Sequence, residues 1–272
     1  MKARKSLGLN PVKRRDRPFT PKRELGQNFL TNPDVVADIL LASKIKAGET
    51  VLEIGPGTGV LTEALLDAGA HVIAIEKDDR LIELLNKKFA GKRFDLIHGD
   101  ILSLNISSLF ANFKLHISSF KIVANIPYYI TGKFLRNIFE SEKLPERIVL
   151  LLQKEVAERI VAKDGKESIL SISVKAYGTP SIVRYVSRND FDPVPNVDSA
   201  VLLIGSISRD FFSAVGPLRI DEGKFFELVR KGFAHKRKKL GSNLGLDLGN
   251  KRAEELSLVE WGKLYRQTNL SK

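Results

Sequence analysis

The stretch Thr50-Val51-Leu52-Glu53-Ile54-Gly55-Pro56-Gly57-Thr58-Gly59 decides the fold. A short aliphatic, β-branched run, Thr50 to Ile54, breaks at three alternating glycines. An apolar pattern of helical period then opens at Gly59 and runs to Ala68. Strand, glycine turn and helix in that order let the backbone approach a ligand closely and aim helix N–H groups at it. Taken alone, the same residues also make a plain tight turn. A dinucleotide fingerprint would need a third glycine at position 60, where Val60 stands.

Working outward, short runs suited to strands alternate with helical periodicity, the pattern of βαβ units around a parallel sheet. Strands are expected at Thr50 to Ile54, His71 to Glu76, Phe94 to His98, Lys121 to Asn125, Arg147 to Gln153, Ile182 to Ser187 and Ala200 to Ile204. Helices fit at Pro33 to Ser43, where Asn32 suits the N-cap, and at Gly59 to Ala68, Asp78 to Phe89, Gly132 to Glu140, Lys154 to Ala162 and Ser168 to Tyr177. Only the proline-rich loop Phe191 to Asp198 separates the last two strands, so they are expected to pair antiparallel. Beyond Ile204 come a linker and then helical patterns alone: Asp221 to Ala234, Lys236 to Leu244, Asn250 to Leu256 and Leu258 to Gln267. The expected fold class is α/β, a Rossmann-like seven-stranded, mostly parallel sheet with a small C-terminal helical domain. The boundaries are a basic arm over 1–24, the α/β domain over 25–205, and linker plus helical domain over 206–272.

The 272 residues, 43% of them hydrophobic, can bury a proper core. Apolar runs are strand-sized, far short of the ~18 residues of a membrane span, and no apolar leader follows Met1, so a cytoplasmic location without membrane contact is expected. The absence of cysteine excludes disulfides, thiolate nucleophiles and zinc ribbons. The four histidines have no metal-ligand spacing, and no metal is expected. A net charge of +12 favours a polyanionic partner. Residues 1–23 carry +8 of it, and Pro11, Pro18 and Pro21 argue against a continuous helix there. Such an arm suits nucleic acid, a transit-like role or simple solubility.

The Glu-x-Gly-x-Gly-x-Gly form over Glu53 to Gly59 resembles the first motif of S-adenosyl-L-methionine methyltransferases. Two carboxylates then fall at the carboxyl ends of the next strands. Glu76, about twenty residues past the first glycine, can accept from both ribose hydroxyls, and Asp100 can accept an exocyclic adenine N–H. Each alone is also compatible with a strand-end charge or a helix cap. Gly55, Gly57, Glu76 and Asp100 converge on the crevice where open α/β sheets bind ligands.

After the fourth strand stands Asn125-Ile126-Pro127-Tyr128-Tyr129. An adenine N6 lone pair is delocalised into the ring, so catalysis must restore electron density at nitrogen. Two acceptors aimed at its N–H groups do so: the Asn125 side-chain oxygen and the Ile126 carbonyl, with Pro127 fixing the turn. Tyr128 offers an aromatic face to a base swung out of its stack. This tetrapeptide type serves glutamine side chains and DNA bases as well, so it specifies chemistry rather than substrate.

Three more segments join it: Leu25-Gly26-Gln27-Asn28-Phe29-Leu30, Phe191-Asp192-Pro193-Val194-Pro195-Asn196-Val197-Asp198-Ser199, and Gly232-Phe233-Ala234-His235-Lys236-Arg237-Lys238-Lys239-Leu240. As a set they resemble the ribosomal RNA adenine dimethyltransferase family, most closely its bacterial small-subunit branch, from about Arg23 to the C-terminus. The resemblance implies cofactor contacts at Gln27, Asn28, Leu30, Gly55, Glu76, Asp100 and Asn125. It also implies two methyl transfers to each of two adjacent adenines in the 3′-terminal hairpin of small-subunit rRNA, in an assembly intermediate; a monomer is expected. Arg230, Lys231, Lys236, Arg237, Lys238 and Lys239 then become RNA phosphate contacts rather than a solvated face. Two other readings are Erm-type large-subunit dimethyltransferases, which share both sites and confer macrolide resistance, and a noncatalytic RNA-binding assembly factor on the same fold. Gly26, Asp198-Ser199-Ala200 and the segment Lys236 to Leu240 favour the small-subunit branch. Glu76, Asp100 and Asn125 argue for retained chemistry.

Overall fold

The computed structural model describes residues 20–22, 25–104, 106, 119–162, 165–213, 219–235 and 237–270. Most of the basic arm lies outside these, as does Lys236. The described chain forms two compact units. The first runs to Ala157 and includes Ser181–Gly205; the second holds Glu158–Pro180 and everything from Ser206.

In the first unit, in chain order, are β1 (Phe29–Leu30), α1 (Pro33–Ser43), β2 (Thr50–Ile54), α2 (Val60–Asp67), β3 (His71–Glu76), α3 (Asp79–Lys88) and β4 (Phe94–His98). There follow β5 (Phe120–Asn125), α4 (Thr131–Glu140) and β6 (Arg147–Gln153), then α5 (Lys154–Val161), along which the chain passes into the second unit, where α6 (Ile169–Tyr177) lies. The chain returns through β7 (Thr179–Val186), β8 (Phe191–Asp192) and β9 (Ser199–Gly205). Sequence dictates these ends locally. Asn32 accepts the Asp34 N–H at 2.9 Å and Pro33 fills the first helical position, so α1 starts where its cap stands.

The seven-stranded sheet has the order β4-β3-β2-β5-β6-β9-β7. From β4 to β6 the pairs are parallel, with Thr50 opposite both His71 and Phe120, and β9 joins β6 antiparallel. Strand order reverses between β2 and β5, so the ends of these two neighbours, carrying the glycine turn and Asn125, flank the switch point where such sheets bind ligands. Val51, Leu52, Val72, Ile73, Ile122, Val123, Val149 and Leu150 are fully buried, as strands covered on both faces require. Truncating one of the leucines to alanine would cost about 2 to 5 kcal/mol, through reduced transfer energy and the cavity left behind.

Two features depart from the periodicity. The last strand pair was expected from Ile182, yet β7 begins at Thr179; Pro180 is tolerated because β7 is the sheet edge. The loop 191–198 also contributes a strand: Phe191 and Asp192 pair antiparallel with Leu30 and Phe29. The Thr31 N–H and hydroxyl both donate to the Asp190 carbonyl, at 2.8 and 2.9 Å, extending that clasp.

The second unit contains, besides α6, α7 (Glu222–Gly232), α8 (Leu240–Leu244) and α9 (Leu258–Leu270). Its core is aromatic. Tyr177 packs on Phe212 at 5.3 Å between ring centroids, Phe225 on Phe211 at 5.1 Å, and Phe233 on the fully buried Trp261 at 5.7 Å. Gly232 is required there, because a Cβ would meet the Trp261 ring at 2.3 Å. The stretch 158–180, expected from the sequence to belong to the α/β domain, is drawn in by that Tyr177 packing. The Ser208 N–H donates to Tyr177 O and the Glu167 N–H to Glu254 O, at 2.8 and 2.9 Å. The helix expected over Lys236 to Leu244 starts only at Leu240, whose N–H is taken by the Lys251 carbonyl at 2.8 Å. Asn250 to Leu256 reduces to a 3₁₀ turn at Ala253–Glu255.

Candidate active site

At the carboxyl ends of β2, β3 and β5 lies a cleft of about 1070 Å³, counting its open mouth. Gln27, Asn28, Leu30, Gly55, Gly57, Glu76, Asp100, Asn125, Ile126, Pro127 and Tyr128 all line it, with Ile75 and Ile101 as apolar walls. Gly55, Gly57 and Gly59 have φ of 65°, 59° and 77°, a left-handed backbone that side chains resist. A Cβ at Gly57 would also meet the Phe29 ring at 2.9 Å. Both constraints leave this floor as bare backbone.

Glu76 is 6% exposed, and its carboxylate is held from three sides. The Lys77 and Asp78 N–H groups each donate to Oε1 at 2.8 Å and the Gly57 N–H to Oε2 at 3.3 Å. Burial raises its pKa above the ordinary value, and these backbone donors only partly offset the effect. Asp100 shows the opposite balance. Burial is its largest influence and pushes upward, but the Leu102 N–H at 2.9 Å and the Lys77 ammonium at 3.0 Å together bring it below the usual carboxylate range.

Asn125 ends β5 half-buried, and its Nδ2 donates to the Asn28 backbone carbonyl at 3.0 Å. The amide is thereby fixed with Oδ1 on the opposite arm. Tyr128 is also held, its hydroxyl 2.8 Å from Ser199 Oγ, while Tyr129 stands 63% exposed at the mouth. The Ile126 N–H is spent on the Leu151 carbonyl at 3.2 Å, and the Ile130 N–H closes the turn on Pro127 O at 3.2 Å. Gln27 is committed at both ends of its amide. Its Oε1 accepts the Lys22 N–H at 2.8 Å, and its Nε2 donates to Asp78 Oδ2 at 2.7 Å.

Asp78 and Arg80 were not singled out by sequence pattern, and Glu53 and Ser199 entered only as members of longer motifs with no role of their own. Glu53 lines the cleft 1% exposed, and burial holds its carboxyl up at about 8 against the opposing hydrogen bond from the Thr62 hydroxyl at 2.7 Å. Asp78 is held well below the usual range, chiefly by the Arg80 guanidinium, which pairs with it at 2.6 and 2.9 Å. A glutamate inside an aliphatic strand directly before a glycine turn was the available signal for Glu53. Asp78 and Arg80 read from sequence as an ordinary helix start.

In the helical unit Arg230 and Lys231 occupy the last turn of α7, and Arg237, Lys238 and Lys239 follow, all exposed. Lys231 pairs with Glu227 at 2.8 Å and Lys239 donates to Asn250 Oδ1 at 2.6 Å, so the segment is not purely basic. Lys236 lies outside the described residues.

Comparison with known proteins places this geometry. A sequence profile for ribosomal RNA adenine dimethylases matches residues 19–267. The chain is 41% identical over 261 residues to the ribosomal RNA small subunit methyltransferase A of Dehalococcoides mccartyi, covering 89% of this chain and 87% of the relative. Among solved structures, a dimethyladenosine transferase from Plasmodium falciparum superposes with a TM-score of 0.75 at 27% identity, over 89% of this chain and 98% of that one. The 23S rRNA methyltransferase ErmE superposes with a TM-score of 0.69 at 23% identity, over 90% and 100%, a likeness of fold alone. A Rossmann-like sheet with its cleft at the switch point and a profile match along nearly the whole chain agree: the chain belongs to the ribosomal RNA adenine dimethylase family.

Proposed function

We propose that this enzyme dimethylates N6 of two adjacent adenines in the 3′-terminal hairpin of small-subunit rRNA, using S-adenosyl-L-methionine, while the subunit is still being assembled. The observation that carries the reading is the fixed Asn125 amide at the carboxyl end of β5, beside a bare glycine floor and a buried glutamate. The residues suit the cofactor. Glu76 matches a ribose diol, Asp100 an adenine amino group, and Gly55 and Gly57 permit close backbone approach, with Gln27, Asn28 and Leu30 along one side. When bound, S-adenosyl-L-methionine supplies an electrophilic sulfonium methyl group.

The chain's own task is to raise the nucleophilicity of the amine. Asn125 Oδ1 and the Ile126 carbonyl accept its two N–H groups and favour a tetrahedral nitrogen, whose lone pair then points away from the ring. Tyr128 presents its ring to the flipped base, and the Ser199 hydrogen bond keeps that ring from turning with it. No tuned general base is required, because the product ammonium is strongly acidic.

The D. mccartyi relative is named for the small subunit, and this supports that substrate over the large-subunit site of ErmE. Arg230, Lys231, Lys236, Arg237, Lys238 and Lys239 serve as phosphate contacts, the protein works as a cytoplasmic monomer, and the +8 arm adds electrostatic attraction. No helix among the described residues is long and apolar enough to cross a membrane. Mapping dimethyladenine in rRNA from cells with and without this gene tests the proposal: marks missing from the small subunit support it, and marks missing from the large subunit replace it with the Erm reading.

A further inference from the structure

We infer that Asp78 and Arg80 are positioning residues for methyl transfer, acting through Gln27 on the segment whose Asn28 carbonyl sets the orientation of the Asn125 amide. This inference rests on the adenine reading given above. An asparagine amide has two arms of nearly equal shape and opposite chemistry. With Oδ1 towards the amine the residue accepts and activates; with Nδ2 there, donor faces donor and activation disappears. A backbone carbonyl can only accept, so the Asn28 carbonyl selects Nδ2 for itself and leaves Oδ1 for the substrate. The catalytic amide is therefore correct only while the segment before β1 stays in place.

Side chains from the start of α3 hold that segment. Arg80 Nη1 donates to the Thr20 carbonyl at 3.0 Å, and Gln27 is gripped between the Lys22 N–H and Asp78 Oδ2. Asp78, 1% exposed, accepts from both Gln27 and the Arg80 guanidinium. Gly26, at φ of 64°, turns the chain so that the Asn28 carbonyl reaches β5. Asn28 Nδ2 braces the same turn on the Gly26 carbonyl at 3.2 Å. Glu76, by contrast, is held by backbone N–H groups of Gly57, Lys77 and Asp78, none of which depends on these side chains. Disturbing the Gln27 to Asp78 bond should therefore slow chemistry without loosening the grip on the ribose.

The test measures single-turnover methyl transfer at saturating cofactor and small-subunit particle, alongside the cofactor Kd by calorimetry and thermal unfolding. Gln27→Glu sets two carboxylates against each other and should slow transfer by about 10- to 100-fold, the scale on which small misplacements act. Because the cofactor is saturating, a contact from Gln27 to the cofactor would change the Kd but not this rate, so the slowed transfer reads positioning alone. Asp78→Asn combined with Gln27→Glu reverses donor and acceptor in that bond while giving up the Arg80 Nη2 contact on the same oxygen, and should recover part of the rate. Gln27→Ala, which removes the donor without adding charge, should also slow the saturated rate. Weakened cofactor binding with an unchanged saturated rate would make Gln27 a simple ligand and overturn the inference. A folded double variant no faster than Gln27→Glu would do the same. Absence of transfer by the unmutated protein would instead remove the adenine reading, and this inference with it.

Discussion

The cleft of the first unit and the basic segment of the second handle charge in opposite ways. In and beside the cleft, Glu53, Glu76 and Asp78 are buried, and each carboxylate accepts from particular donors within about 3.3 Å. Along Arg230 to Lys239 the described charges stand in solvent, and the pairs that form, such as Lys231 with Glu227, are exposed ones of the kind worth little. Fixed dipoles in a dry site discriminate between states of one nitrogen; mobile surface cations attract a polyanion of any sequence. The difference teaches that chemistry and substrate choice in this chain are set by different physics and should fail separately.

The strongest way to break the contrast is Asn125→Ala. It removes one of two acceptors on the amine and should slow methyl transfer at least 100- to 1000-fold, on the order of what deleting a single catalytic hydrogen-bonding group costs elsewhere. Affinity for the RNA particle should stay nearly unchanged, since phosphate contacts dominate binding. Single-turnover kinetics with a parallel filter-binding titration checks both halves. Near-normal transfer would refute the role of the amide.

Glu76→Ala comes next. Each charge-assisted hydrogen bond to a ribose hydroxyl is worth about 1.5 to 3 kcal/mol, so the cofactor Kd should rise at least tenfold by calorimetry. The variant also leaves the Gly57, Lys77 and Asp78 N–H groups without their acceptor. A folded protein with an unchanged Kd would take Glu76 out of the site.

On the other side of the comparison, charge reversal of Lys236, Arg237, Lys238 and Lys239 should weaken particle binding while sparing the cofactor Kd. Every phosphate that no longer meets a cation should flatten the logarithmic salt dependence by about 0.7 to 0.9. Methyl incorporation into small-subunit particles should fall further than into a short large-subunit hairpin. Equal reductions on both would reduce the segment to general attraction.

Why one side was more legible than the other follows from the residues. Strands β2, β3, β4 and β6 match the expected spans because each is a short, largely apolar run with a sharp change of pattern at its end, and periodicity reads such runs directly. The β1 to β8 clasp was invisible, since two residues carry no period and their partners lie some 160 positions apart. The same limit hid Asp78 and Arg80: acid and base at a helix start look like capping, and only folding brings Gln27 against them. The membership of 158–180 in the helical unit depends on where Tyr177 finds aromatic partners, which is a tertiary fact. In the basic segment composition was the only signal available, and it says nothing of the extended backbone at Lys239, where α8 begins later than the pattern implies.

The last expected effect falls on stability rather than activity and concerns what burial costs the cleft. Glu53 has an ordinary value of 4.5 and is held at about 8 in the folded chain, first by desolvation and then by the neighbouring Glu76. A carboxyl that binds its proton more tightly when folded contributes stability fully present below about pH 4.5 and lost as pH rises through about 8. In that window its share of the folding free energy should fall by at most about 1.4 kcal/mol per pH unit. Glu53→Gln keeps an acceptor for the Thr62 hydroxyl and removes the titration. Its unfolding midpoint should therefore exceed that of the unmutated protein at roughly pH 9 and approach it at roughly pH 5, a gap that opens with rising pH. Calorimetric melts across this range decide the matter. A gap of constant size would mean that the buried carboxyl does not titrate there, and that its neutral form is not what the cleft is built around.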